Sequence, residues 1–113
     1  MYNSSTFGNP HKQINAYLAK DIFESSQEKL LIRVYDFAIT NCKKGEMVKT
    51  NNAIGELISA LNFDDPKAKP ISVGLMKLYQ FCQEQMRQKN TEVVYKILSD
   101  LRDTWLTVFK KAA

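Results

Sequence analysis

Apolar residues recur at helical spacing in four separate segments of the chain. Within each segment they fall three or four positions apart, which is the period of an amphipathic helix and not the alternation of a strand. The four predicted helices span about residues 27–44, 46–63, 71–89 and 91–110. Their apolar stripes consist, in chain order, of Leu30, Leu31, Val34, Tyr35, Ala38, Ile39 and Cys42; Met47, Ile54, Leu57, Ile58 and Leu61; Ile71, Leu75, Leu78, Tyr79, Cys82 and Met86; and Val94, Ile97, Leu98, Leu101, Trp105 and Val108.

Turn and capping residues separate these segments. Ser26 is suited to cap the first helix, and Ser25 with Glu28 also has the spacing of a capping box. Gly45 follows the first helix, where glycine takes the left-handed conformation of a helix end without a steric cost. Residues 64–70 contain two prolines and two aspartates, so this stretch is predicted to be a loop between the second and third helices.

The pattern predicts an all-α fold, an antiparallel up-down four-helix bundle over residues 26–111. Each helix alone would be marginally stable in water, so burial of the four stripes must hold the bundle together. Residues 1–25 precede the bundle and include Ile14 and Tyr17 at near-helical spacing. This segment is too apolar for a free tail, and it is predicted to lie on the bundle as a cap or a short extra helix.

Composition and charge narrow the choice of partner and compartment. The chain has a net charge of +4, but several lysines and arginines fall in the last turns of predicted helices, where they offset the helix dipole. No basic face with interleaved aromatic residues suggests nucleic-acid binding, and no apolar run is long enough for membrane insertion. The two cysteines do not form a disulfide framework, and a reducing, cytoplasmic location is the simplest interpretation.

The residues that usually carry catalysis or bind metal are scarce. His11 is the only histidine, which removes the partnered base that serine and cysteine nucleophiles need. Cys42 and Cys82 fall on apolar stripes, where a thiol acts as a small apolar residue. The chain has no glycine-rich phosphate loop and no zinc-ligand spacing. We therefore expect a protein that is not an enzyme and that has no cofactor, catalytic residue or metal site.

Several apolar residues lie off the predicted core stripes. At about 100° per residue, Tyr95 and Leu106 point away from the stripe of the fourth helix and share one face, with Arg102 between them. Phe37 and Phe81 are displaced in the same way on the first and third helices. These residues either widen the core face or line an apolar groove for an amphipathic partner segment. The N-terminal cap could cover such a groove while it is empty.

Short runs of residues along the chain also carry a family resemblance. The first helix opens with Ser25–Leu30 and continues with Val34–Ile39, the third contains Leu78–Phe81, and the fourth contains Leu98–Trp105. Ala16-Tyr17 precedes them at the expected distance. In order and spacing these runs resemble the FliS-type flagellar secretion chaperones, whose first helix opens Ser-Pro-Glu-Lys-Leu and whose last helix carries Leu-x-x-Leu-Arg-x-x-Trp.

The resemblance implies a function and a set of motif positions. It implies a cytoplasmic chaperone that binds the disordered C-terminal region of flagellin, prevents premature polymerisation and keeps the client competent for flagellar type III export. The flagellar export apparatus is a further implied partner, and Tyr17 and its neighbours would cap the groove in the free protein. The motif positions, several of which are expected to be structural, are Ser26, Glu28, Leu30, Tyr35, Asp36, Tyr79 and Trp105.

A second functional class also fits the pattern. A structural or regulatory helical bundle could use the same spare apolar faces to associate with itself. The residues expected to contact a partner, whichever function applies, are Ile14, Tyr17, Phe37, Phe81, Tyr95, Arg102 and Leu106.

Overall fold

The computed structural model describes the backbone of residues 16–112 and the side chains of residues 27–111. The described chain contains four α-helices and no strand, which confirms the predicted all-α fold. The helices are α1 (Ala16–Lys43), α2 (Met47–Ser59), α3 (Lys69–Arg87) and α4 (Thr91–Ala112).

The first helix begins earlier than its capping signals suggest. The prediction placed its start near Gln27, with Ser26 as the cap, but α1 is continuous from Ala16. No proline or glycine occurs between Ala16 and Lys43, and the near-helical spacing of apolar residues before Phe23 already favours helix. A serine caps a helix only where the preceding backbone leaves the helical conformation, so the prediction for Ser26 was wrong.

Two similar turns close the helix pairs at one end of the molecule. At the end of α1 the Glu46 N–H donates to Asn41 O at 2.9 Å, and Gly45 has a φ of 75°, as its predicted role requires. This pairing is the Schellman arrangement, which satisfies carbonyl groups at a helix end. At the end of α3 the Asn90 N–H donates to Gln85 O at 2.8 Å, and Lys89 takes the left-handed conformation with a φ of 65°.

The longer connection joins α2 to α3. As predicted, Asp64-Asp65-Pro66 lies outside any helix, and the side-chain oxygen of Asn62 accepts the Asp64 N–H at 2.9 Å. The Ser72 hydroxyl donates to Asn62 O at 2.7 Å, which fastens the loop to α3. The prediction that the loop continues to Pro70 was wrong, because Pro70 lies in the first turn of α3. Proline fits there since the first-turn N–H groups have no partner within the helix.

The chain divides into two compact units between Leu30 and Leu31, and the bundle core belongs to the second unit. The first unit contributes the described helical residues 16–30 of α1. In the second unit, α2 packs against α3 and α3 against α4. The hydrogen bonds that Trp105 donates to Tyr35 and that Cys42 donates to Thr91 show that α4 runs antiparallel to α1. The arrangement is the predicted up-down four-helix bundle.

The core of the second unit is built from all four predicted stripes. Thr50, Asn41 and Ser72 are its buried polar residues, and each donates a side-chain hydrogen bond to a backbone carbonyl. Burial of the apolar side chains is the main force that holds the helices together. The buried apolar residues are Tyr35, Ala38, Cys42, Ala53, Ile54, Leu57, Tyr79, Cys82, Met86, Val94 and Leu98.

Some members of the predicted stripes are exposed. Ile71 in the first turn of α3 is 66% exposed, and Val108 near the end of α4 is also exposed, because helix ends have packed neighbours on fewer sides. Leu30 is exposed and lies about 100° around α1 from Leu31, at the margin of the stripe. The stripes therefore predict the core well in the middle of each helix and poorly at its ends.

None of the four helices in residues 16–112 combines the length and apolar character that a bilayer crossing requires.

Candidate functional site

An apolar groove lies between α1 and α2. It has a volume of about 320 Å³. Val34, Phe37 and Ala53 supply its apolar surface, and Arg33, Asn52 and Glu56 border it. We call this set of six residues the α1–α2 groove. Its volume is at the lower limit of small-molecule sites, which suits two or three apolar side chains of a peptide.

The groove exists because of helix spacing on both of its walls. Arg33 and Phe37 are four residues apart on α1, and Asn52 and Glu56 are four residues apart on α2, so each pair lies on one side of its helix. Phe37 is 51% exposed, although Val34 beside it packs against the core. The aromatic ring therefore offers apolar surface that the fold itself does not use.

A second set of predicted residues lies where α1 faces α4. Arg102 forms an ion pair with Asp36, in which its Nη2 lies 3.4 Å from the second carboxylate oxygen. The Lys43 ammonium stands over the Tyr95 ring, 5.3 Å from its centre. Such cation–π contacts at exposed sites contribute about 0.5 to 1 kcal/mol. Leu106 follows Arg102 by one turn on the same side of α4, so the predicted shared face of Tyr95, Arg102 and Leu106 is present.

The candidate contact residues whose side chains are described do not form one continuous site. Phe37 belongs to the α1–α2 groove, Tyr95 and Arg102 contact the α1 residues that face α4, and Phe81 projects from α3. Their exposed fractions are nonetheless alike, between 39 and 51% for Phe37, Phe81, Tyr95 and Leu106. The wide-core alternative therefore does not describe these four side chains, which are too exposed to be core residues.

Three motif residues meet in a buried hydrogen-bond network. The Trp105 indole N–H donates to the Tyr35 hydroxyl at 3.0 Å, and the Tyr35 and Tyr79 hydroxyls are hydrogen-bonded to each other. Both tyrosines are almost fully buried, whereas Trp105 is partly buried against the core. Burial raises the pKa of both hydroxyls above their usual value, and the hydrogen bond to Tyr79 raises the pKa of Tyr35 further. These residues shape the core, as expected for Tyr35 and Trp105.

The remaining candidate positions contribute little to a described site. Glu28 is exposed on α1, and Leu30 is exposed as noted above. Ile14 lies outside the described residues, and the side chains of Tyr17 and Ser26 lie outside the described side chains. The expected capping of the groove by residues 1–25 therefore stays a prediction.

The two thiols are buried parts of the core. The Cys42 thiol donates to Thr91 O at 3.3 Å, and burial raises its pKa. Burial, and secondarily the nearby Cys42 thiol, raise the pKa of the Cys82 thiol to about 12. A thiol with a raised pKa is a poor nucleophile at neutral pH. Among the described residues, no group of three or more histidine, cysteine or acidic side chains is placed to hold a metal ion.

The buried thiol predicts a loss of stability at alkaline pH. In the unfolded chain Cys82 would ionise near pH 8.5, whereas in the folded protein it stays neutral up to about pH 12. The unfolded state therefore releases its proton first, and stability falls as pH rises from about 9 towards 12, by up to about 1.4 kcal/mol per pH unit for this group. Urea unfolding under reducing conditions at pH 8 and pH 10 measures the effect.

Cys82→Ala is the matched variant for this measurement. It should lose less free energy of unfolding between pH 8 and pH 10 than the unmodified chain, because one of the two titrating thiols is gone. An identical pH dependence in both proteins would show that Cys82 is not the group responsible.

Most residues of the α1–α2 groove were not singled out from the sequence. Phe37 was a candidate contact residue and Val34 was assigned to the apolar stripe, but Arg33, Asn52, Ala53 and Glu56 were not named. The missing information is the register between α1 and α2, that is, which residue of one helix lies opposite which residue of the other. The turn at Gly45 fixes this register, and counting outward from it would have placed Phe37 opposite Ala53.

Comparison with known proteins does not add an identification. No protein-family model matches the chain, and neither a curated protein nor a solved structure matches it.

Proposed function

We propose that the chain is a cytoplasmic chaperone that binds the disordered C-terminal region of flagellin. Binding would prevent premature polymerisation and keep flagellin competent for flagellar type III export. The observation that carries the proposal is the half-exposed Phe37 ring in an apolar groove on a bundle whose core is already filled. Such a surface fits the general mode in which an amphipathic segment lays its apolar face into a groove between helices.

The physical properties of the bundle suit a client that folds on binding. A disordered segment can cover a large surface, but part of its binding free energy is lost in becoming ordered. The four described helices are already folded, so the bundle itself loses little further conformational entropy when the client binds. The choice of flagellin as the client rests on the resemblance of Ser25–Leu30, Leu78–Phe81 and Leu98–Trp105 to the flagellar secretion chaperones.

Isothermal titration calorimetry against a peptide from the C-terminal part of the same organism's flagellin tests the proposal. We expect saturable binding with a negative heat-capacity change, because apolar surface is removed from water. The absence of heat at several temperatures, at tens of micromolar concentrations, would count against the chaperone function. A stable homodimer that does not bind flagellin would instead support the self-associating bundle.

Phe37→Ala locates the binding surface within this experiment. Removing an exposed aromatic ring that contacts the client should weaken binding by about tenfold or more, since aromatic anchors commonly contribute over 1 kcal/mol to binding. Phe63→Ala is the matched control, because Phe63 is also partly exposed but lies in the loop after α2. Equal affinities for the two variants would remove the α1–α2 groove from the client site.

A further inference from the structure

The walls of the α1–α2 groove carry opposite charges. Arg33 belongs to α1 and Glu56 to α2, both side chains are exposed, and both border the apolar floor. Among the described ion pairs none joins Arg33 to Glu56. The groove therefore presents a cation along one edge and a carboxylate along the other, with apolar side chains between them.

The α1–α4 side of the bundle differs in this respect. There the Arg102 guanidinium is already paired with the Asp36 carboxylate of the facing helix, so the two charges neutralise each other within the protein. Among the described residues, neither Arg33 nor Glu56 takes part in an ion pair, so each of these two charges can pair with a charge of the partner. Charge complementarity thus favours the α1–α2 groove as the surface that binds charged groups of a partner.

The spacing of the lining residues suits a helix as the occupant of the groove. Arg33 to Phe37 and Asn52 to Glu56 each extend over one helical turn, about 6 Å along their helices. A partner helix laid along this direction places residues three or four apart over the floor. A helix satisfies its own backbone hydrogen bonds, whereas an extended segment would bring unpaired backbone groups to a surface whose described lining residues include one amide side chain, that of Asn52.

We propose that the α1–α2 groove binds an amphipathic helix whose apolar stripe has an acidic residue on the flank facing Arg33 and a basic residue on the flank facing Glu56. This inference rests on the proposed function, since it specifies the segment of the client that occupies this groove. It also fixes the direction in which the helix lies, because reversing the helix would bring its acidic flank to Glu56 and its basic flank to Arg33.

Three synthetic helical peptides with one apolar stripe test the charges. The first carries acidic residues on one flank and basic residues on the other, the second is acidic on both flanks, and the third is basic on both. The unmodified protein should bind the mixed peptide about three- to tenfold more tightly than either of the others, because exposed charge pairs make modest individual contributions. The preference should shrink as the salt concentration rises.

Charge reversals in the protein sharpen the test. Arg33→Glu makes both edges acidic and should shift the preference to the basic peptide, whereas Glu56→Arg should shift it to the acidic peptide. The double variant R33E/E56R should prefer the mixed peptide again, bound in the opposite direction, which a paramagnetic label at one peptide end reports. Arg87→Glu, a reversal of an exposed arginine on α3, is the control and should leave the preference unchanged.

The outcomes separate this inference from the proposed function. If all three peptides bind equally to every variant, or none binds while the flagellin peptide still does, the charged-edge inference is overturned and the chaperone proposal stands. If the flagellin peptide fails to bind while the peptide preferences follow the charge reversals, the groove is a helix site for a different client. Circular dichroism of each variant verifies that these exposed substitutions leave the bundle folded.

Discussion

Leu98→Ala is expected to lower the free energy of unfolding by about 2 to 5 kcal/mol, the range for removing a fully buried leucine from a packed core. Leu98 is completely buried on α4, among side chains that come from all four helices. The substitution removes apolar contact area and leaves a cavity that the surrounding helices fill only in part. A domain of this size typically has about 5 to 15 kcal/mol of stability, so a large fraction would be lost.

Leu106→Ala is the matched control for this prediction. The chemical change and the helix are the same, but Leu106 is 39% exposed and lies outside the buried core. Its stability cost should be well below that of Leu98→Ala in urea unfolding followed by circular dichroism. A similar cost for both variants would mean that Leu106 is packed in solution, and that the face it shares with Tyr95 and Arg102 is part of the core.

Tyr35→Phe is expected to lower stability by about 2 to 4 kcal/mol although it removes a single oxygen atom. The Tyr35 hydroxyl is the shared partner of the Trp105 indole N–H and the Tyr79 hydroxyl. Its removal breaks both of these hydrogen bonds, and each polar group of low solvent access that is left without a partner costs about 1 to 3 kcal/mol. Tyr79→Phe should cost less, because Tyr35 would keep its bond with Trp105.

A double-mutant cycle distinguishes this network from simple loss of packing. In Tyr35→Phe combined with Tyr79→Phe, the Tyr79 hydroxyl that would have been left unpaired is absent as well. The combined cost should therefore be smaller than the sum of the two single costs. Tyr95→Phe, which removes a hydroxyl from a 40% exposed ring, should change stability by less than about 0.5 kcal/mol. Additive costs within the cycle would contradict the network.

The apolar periodicity predicted the fold class and most of the core. Stripe positions such as Tyr35, Ile54, Cys82 and Val94 are buried because a 3.6-residue period places them on one side of a helix. The turn at Gly45 was equally predictable, since few residues other than glycine adopt its left-handed conformation readily. These features depend on residues close together in the sequence.

Features that depend on how segments distant in the sequence pack together could not be predicted from these local patterns. One example is a reciprocal pair of hydrogen bonds between residues 32 positions apart. The Asn51 side-chain amide donates to Gln83 O, and the Gln83 side-chain amide donates to Asn51 O. The α1–α2 groove likewise depends on which turn of α1 faces which turn of α2. The start of α1 was missed for a different reason, because serine and glutamate at capping spacing also occur inside long helices.

The placement of the buried hydroxyl network has a consequence for how the chain assembles. Tyr35 belongs to the pair formed by α1 and α2, whereas Tyr79 and Trp105 belong to the pair formed by α3 and α4. Each pair is closed by a short turn and can form from local contacts, which are made early and quickly. The hydrogen-bond network forms only when the two helix pairs dock against each other. Fluorescence of Trp105, the single tryptophan, is therefore expected to report that docking step separately from helix formation seen by circular dichroism.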